Sequence, residues 1–348
     1  MEAPALAQRG RASLDFQAGI SKATFGLHFA SEAELAMKGV NAQTMPDDMD
    51  ERHALVVETL ADSKIFKIRE LFGEWASRTH GAHCDEAFEE RRAAIEPYLK
   101  GLDEGPATLD YGDGEPAPSY WSKVWFHRTT GGWDHIDHTG YVHGELVHKQ
   151  LVARGYGGDI FGQRRAAAQQ APRRDYKEVL DIGCGSGHFT QALQETFPDA
   201  QITGIDLSAR MLEQARRVAN EKGWNWKLMV KGGENSGFAD ESFDLVTTFI
   251  LFHEAPPRII KSILEEAFRM LKPGGDIIMA DVPRYAEIDK LSSWRYDYLA
   301  KWGGEPYWRA SASMDLIQIC KDIGFVDVEG ATQAPTHAYY VLRAHKPA

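Results

Sequence analysis

From residue 177 onward, short apolar runs alternate with amphipathic stretches. The runs at 178–182, 201–206, 227–230, 244–249 and 276–281 read as strands. The stretches at 188–197, 208–222, 256–271 and 312–323 read as helices, the second carrying Met211, Leu212, Ala215, Val218 and Ala219 at helical spacing behind the N-cap residue Ser208. Such alternation predicts a parallel sheet with crossover helices. Two further strands, 325–329 and 339–344, close the chain, and Lys272-Pro273-Gly274-Gly275 supplies a helix stop and tight turn. The N-terminal part differs. Residues 1–11 read as a frayed polar end and 30–102 as mostly helix. Residues 50–75 place Leu55, Val56, Leu60, Ile65, Ile68, Leu71, Phe72 and Trp75 on an apolar stripe, with one break near Asp62 and Ser63. Residues 85–102 form a second helical stretch. Residues 103–119, rich in Gly, Pro and acids, read as a linker. The expected division is a helical region over 1–115, a His- and aromatic-rich connecting and lid segment over 116–174, and an α/β unit over 175–348.

The first strand of that unit runs directly into Gly183-Cys184-Gly185-Ser186-Gly187. Glycines at alternate positions allow a sharp strand-to-helix turn and a close approach of backbone to a ligand. Asp206 closes the second strand, about 20 residues on, where a ribose-binding carboxylate is expected. The third glycine comes one residue too early for the usual nicotinamide-binding G-x-G-x-x-G.

In order and spacing, VLDIGCGSG (179–187), GIDLS (204–208), DESFDLVTT (240–248) and LKPGGDIIMAD (271–281) resemble class I S-adenosylmethionine (SAM)-dependent methyltransferases, in particular small-molecule enzymes of the ubiquinone-biosynthesis type. The resemblance covers about residues 175–348. It implies a Rossmann-like seven-stranded sheet with the last strand antiparallel, and SAM as cofactor. Asp181 and Gly183 would face its amino-acid end, with Cys184, Gly185 and Gly187 beside it. Asp206 would accept hydrogen bonds from both ribose hydroxyls, with Leu207 and Phe249 nearby. The acidic residue that the family often turns toward adenine falls on Gly232 here, so Glu234, next to Gly233, or the backbone would take that place.

The loop after the fourth strand carries His253-Glu254 next to the expected methyl group. Some plant-type O-methyltransferases have a His-Asp pair here whose His deprotonates the acceptor, and this pair looks similar. It makes His253 and Glu254 the candidate catalytic residues and favours oxygen as the atom methylated. A pocket-lining role for His253 stays open beside it, as do carbon or nitrogen methylation by positioning alone and a non-catalytic SAM-binding scaffold. Residues 120–165 hold His127, His135, His138, His143 and His148, a candidate lid, with Tyr156, Phe161 and Arg164 as candidate contacts. The spacing matches no standard zinc pattern, so no metal centre is expected. Trp294, Tyr296, Tyr298, Trp302, Tyr307 and Trp308 lie where the family often builds its acceptor pocket, which suggests an aromatic or hydrophobic small acceptor. Packing against the N-terminal helices is the competing reading.

Composition narrows the partners. A net charge of −12 argues against nucleic acid. No apolar run is long enough to span a bilayer, and the N-terminus lacks a signal peptide's apolar middle. Three widely spaced cysteines suit a reducing cytoplasm. The N-terminal helices suit a cap over the site, a homodimer contact, or both.

Overall fold

The computed structural model describes residues 3–114, 116–129, 131–155, 159–333 and 339–348. Its centre is an eight-stranded sheet made of β1 (Thr108–Asp110), β2 (Glu178–Ile182), β3 (Gln201–Asp206), β4 (Lys227–Val230), β5 (Phe243–Phe249), β6 (Leu271–Asp281), β7 (Val326–Thr332) and β8 (Tyr340–His345). The order is β1-β4-β3-β2-β5-β6-β8-β7. All pairings are parallel except those of β8, which lies antiparallel between β6 and β7. The expected Rossmann-like methyltransferase sheet is therefore present, with one strand more than the seven anticipated. The extra strand comes from the stretch read as a linker: Thr108, Leu109 and Asp110 pair with Lys227, Leu228 and Met229 at the sheet edge.

The central strands are apolar on both faces because helices cover both. Phe189, Leu193, Leu212 and Val218 pack with Ile202, Trp226 and Leu245 on one face. On the other, Ile260, Leu264 and Cys320 pack with Leu180, Val246 and Ile277. Ser208 caps the helix Ala209–Lys222 by accepting from the Met211 N–H, and Gly223 ends it with φ +72°. The helix expected over 312–323 is two, Trp308–Ala312 and Leu316–Ile323.

The chain start is helical rather than frayed: Gln8–Met37 is one helix of 30 residues. It packs antiparallel on Lys64–Glu89, with Gly10 against Ala87 and the buried Gln17 amide donating to the Ala76 carbonyl at 2.8 Å. The break near Asp62–Ser63 is present, and Ser63 caps the second of these helices by accepting from the Phe66 N–H. Trp294 and Tyr298, on the helix Lys290–Gly303, bury themselves among Leu35, Val56, Leu60 and Phe66. This insertion after β6 thus packs against the N-terminal helices.

The connecting segment lies over the C-terminal ends of the strands. Thr139–Tyr141 rests on Ala209–Lys222, and a π-helix, Val142–Val152, continues from it with Val142 and Leu146 in a core shared with Leu14, Phe88 and Leu99.

Candidate active site

The glycine loop after β2 is fixed from below. The N–H groups of Gly183 and Cys184 both donate to the Ile205 carbonyl, at 2.8 and 3.1 Å. Gly183 has φ +68°, and a Cβ there would lie 2.7 Å from Leu251 Cδ1. Gly187 has φ +86° and presses against Trp226 and Ala215, so its role is packing rather than lining. Asp181 also lies beneath the loop. Its carboxylate accepts from Thr190 Oγ1 at 2.7 Å and from Thr247 Oγ1 at 3.3 Å, and burial raises its pKa to about 7. It ties β2 to the following helix instead of facing the cavity.

Above the loop opens a cleft of about 1170 Å³, its solvent-open mouth included. Gly183, Cys184, Gly185, Asp206, Leu207, Gly233, Glu234 and Phe249 line it, so eight of the ten residues named for cofactor contact share one wall. Asp206 Oδ2 accepts from the Gly185 N–H at 2.9 Å and Oδ1 from the Ser208 N–H at 2.8 Å. Burial raises its pKa to about 6 against the pull of those two donors. Glu234 Oε1 accepts from the Tyr120 hydroxyl at 2.8 Å, while Oε2 is buried without a hydrogen-bond partner. Gly232 is not on the wall. At Gly185 a Cβ would meet no protein atom within 4 Å, because the position faces the cleft.

The pair His253-Glu254 separates. Glu254 is on the cleft wall, where Oε1 lies 3.2 Å from His127 Nε2 and Oε2 accepts from Trp133 Nε1–H at 3.0 Å. His253 is 1% exposed and lies behind the wall. Its carboxylate partner is Asp281, at the end of the adjacent strand β6, with Nδ1 to Oδ1 at 3.0 Å. Asp281 also accepts from the N–H groups of Leu251 and Phe252, which fixes the loop. Burial opposes charge on His253, but Asp281 outweighs it and raises the pKa to about 9, so the ring holds its proton at neutral pH.

The lid residues divide likewise. His127, His143 and His148 line the cleft, with Arg164 stacked 5.0 Å over the Phe249 ring. His148 Nδ1 and His188 Nδ1 lie 2.9 Å apart. Burial, joined by neighbouring cationic groups, lowers the pKa of His143 to about 3 and those of His148 and His188 well below the usual value. His135 and His138 instead reach Asp85 at 3.1 Å and Glu96 at 3.5 Å, which tethers the segment to the N-terminal helices. Phe161 meets His188 edge-on, and Tyr156 lies outside the described residues.

The aromatic insertion does not line the cleft. Its aromatic wall comes from Tyr120, Trp121, Trp133, Phe189 and Phe249, while Trp308 packs on His253. Trp133 and Glu305 are functional candidates that sequence spacing does not reveal, since both meet Glu254 or His127 only through the fold.

Residues 179–275 match the family model described as a methyltransferase domain. A demethylmenaquinone methyltransferase of Geobacillus sp. (strain WCH70) is 29% identical over 171 residues, covering 44% of this chain and 72% of the relative. A ubiquinone/menaquinone biosynthesis C-methyltransferase of Desulfotalea psychrophila is 33% identical over 118 residues, or 34% of this chain. The chain spans 46% of that relative's length. Among solved structures, phosphoethanolamine N-methyltransferase 2 of Haemonchus contortus aligns over 61% of this chain and 60% of its own, at 16% identity and a TM-score of 0.47. The chain carries a class I SAM-dependent methyltransferase domain, and SAM is the cofactor of that domain. No helix of the described residues is long and apolar enough to cross a membrane.

Proposed function

We propose that this protein transfers a methyl group from SAM to a small aromatic or otherwise apolar acceptor, with oxygen favoured as the atom methylated. The observation that carries the reading is Asp206, held on the cleft wall by the Gly185 and Ser208 N–H groups with acceptor capacity left over for two ribose hydroxyls. The partnerless Oε2 of Glu234 suits the adenine amino group. SAM supplies a methyl group already activated on a positive sulfur, so the protein's task is alignment and exclusion of water. Trp121, Trp133 and Phe249 give the acceptor apolar walls, and Glu254 with His127 gives it one polar end. An oxygen acceptor sheds its proton toward that polar end. His253 would have to lose its proton and move toward the wall to act as a base, and unchanged turnover in His253→Ala would remove it from the reaction.

Carbon methylation by positioning alone is the second reading, supported by the similarity to a relative named as a C-methyltransferase. Both readings are tested by incubating the protein and SAM with phenolic, quinol and amine acceptors, then measuring S-adenosylhomocysteine and the mass of the product. An O-methylated phenol is the expected product. Tight SAM binding with no S-adenosylhomocysteine from any acceptor would leave only a non-catalytic scaffold.

The three-part division and the homodimer belong to the same reading. Phe16, Phe25 and Phe29 on Gln8–Met37, and Leu71 on Lys64–Glu89, are each more than half exposed, which supports a contact between two copies through these helices. Sedimentation equilibrium is expected to give twice the chain mass, and a Phe25→Glu/Phe29→Glu variant to give the monomer. A wild-type monomer at every concentration rules the contact out. The three cysteines are free and buried, in keeping with a cytoplasmic setting.

A further inference from the structure

His127, Glu254 and Glu305 come from three distant parts of the chain: the lid segment, the loop after β5, and the insertion after β6. One donor atom from each lies within 4.8 Å of the other two. His127 Nδ1 is 2.6 Å from Glu305 Oε1, and Nε2 is 3.2 Å from Glu254 Oε1. The Glu305 side chain is 5% exposed, and its Oε2 makes no hydrogen bond. Two carboxylates lie this close, and the buried Glu305 oxygen that makes no hydrogen bond meets only the His253 ring, at 3.9 Å, which leaves a place for a further positive charge beside the His127 ring.

We propose that these three side chains form a binding site for a divalent cation of the Zn²⁺ or Mn²⁺ class at the acceptor end of the cleft. One imidazole and two carboxylates suit such ions. Each carboxylate also has a neighbour that can orient it. Trp133 Nε1–H donates to Glu254 Oε2 at 3.0 Å, and His253 Nε2 stands 3.9 Å from Glu305 Oε2. His127 and the next residue, Arg128, both have φ above +50°, a left-handed conformation that non-glycine residues adopt at a cost. That strain aims the ring between the two carboxylates. Ligands on a tetrahedral ion with bonds near 2.1 Å sit about 3.4 Å apart, so the 2.6 Å contact of His127 with Glu305 must open for an ion to enter, while the cluster as a whole is already within 4.8 Å. A ring proton of His127 leaves to solvent as the ion binds, because only a neutral imidazole nitrogen ligates. Protein donors occupy three positions, and the remaining ones face the cleft, where a hydroxyl or carboxylate of the acceptor can coordinate. Cation binding itself stands apart from methyl transfer, while this link to an oxygen acceptor rests on the function proposed above.

The test uses the full chain, stripped with chelator and titrated calorimetrically with ZnCl₂ and MnCl₂, alongside elemental analysis after gel filtration. One equivalent is expected for wild type, with at least a tenfold loss of affinity in Glu305→Gln and in Glu254→Gln. Melting curves and SAM binding report whether each variant is folded, and His127→Gln serves if one of them is not. Absence of binding to wild type at millimolar metal overturns the proposal. So does an undiminished equivalent in folded variants, which would place the ion on surface carboxylates. SAM binding without metal binding would sink this site and leave the methyltransferase reading standing.

Discussion

Replacing Asp206 with asparagine is expected to weaken SAM binding by at least 100-fold while leaving the fold intact. In the wild type both carboxylate oxygens already accept one backbone N–H, from Gly185 and from Ser208. An asparagine offers one acceptor oxygen, so its NH₂ group must point at one of those N–H groups. That conflict leaves a buried donor unsatisfied, at a cost of about 1–3 kcal/mol. The hydrogen bonds expected from the ribose hydroxyls lose their ionic acceptor as well, about 1.5–3 kcal/mol each. The first cost falls on folding stability, while calorimetry of SAM binding measures the second, and an affinity within threefold of wild type would refute the assignment. The pH dependence has a definite sign. Burial holds the Asp206 pKa at about 6, above the usual carboxylate value. Ribose hydroxyls bind the ionised form better, so SAM binding pulls this pKa down. Affinity is therefore level above about pH 7 and falls as pH drops through 6, by up to about tenfold per unit. The asparagine variant should lose that slope. A slope equal to wild type in the variant would move the titrating group elsewhere.

Gly140→Ala is expected to be the most damaging small substitution in the lid. A Cβ there would sit 2.3 Å from the Arg210 carbonyl oxygen, 2.8 Å from Gln214 Cβ and 3.0 Å from Met211 Cα. Two of these atoms are helix backbone and cannot swing aside. The segment carrying Trp133, His143 and His148 must then lift from Ala209–Lys222, at a cost of about 1–3 kcal/mol or somewhat more. For a chain of this size that is a fall of several degrees in Tm. SAM affinity should drop at least tenfold with it, since the roof over the cleft moves. Gly19→Ala is the control, because a Cβ there meets nothing within 4 Å and the site is mid-helix. It should be neutral or stabilise by up to about 1 kcal/mol. Equal behaviour of the two variants would mean that the lid does not depend on this contact.

The sheet and the glycine-loop wall of the cleft were legible in the chain because their signals are local. A strand, three glycines and an aspartate about 20 residues later lie in one reading window. The helix Gln8–Met37 was harder to see because much of its buried face is Gly10, Gln17, Ala18, His28 and Ser31 rather than large apolar residues. Strand β1 has three residues and is held by its partner strand, not by its own pattern. The polar end of the cleft was misread for a related reason. Glu254 follows His253 in the chain, but successive residues of a tight turn point different ways, and Asp281 arrives from the neighbouring strand to take His253. The aromatic insertion contains the right residue types for a pocket, yet the N-terminal helices compete for the same apolar area and win Trp294 and Tyr298.

The π-helix Val142–Val152 carries a consequence for how this enzyme can change. Its i to i+5 hydrogen bonding stacks residues five apart, which is how His143 and His148 come to share the cleft side. In an α-helix the same two side chains would diverge by about 140°. Tightening to α-helical turns with no residue lost would rotate one imidazole out of the roof, whereas loss of one residue between the two would set them four apart, about 40° from alignment, and keep both on the cleft side. A single-codon deletion between the two histidines can therefore turn this stretch into a regular α-helix without dismantling the roof of the cleft.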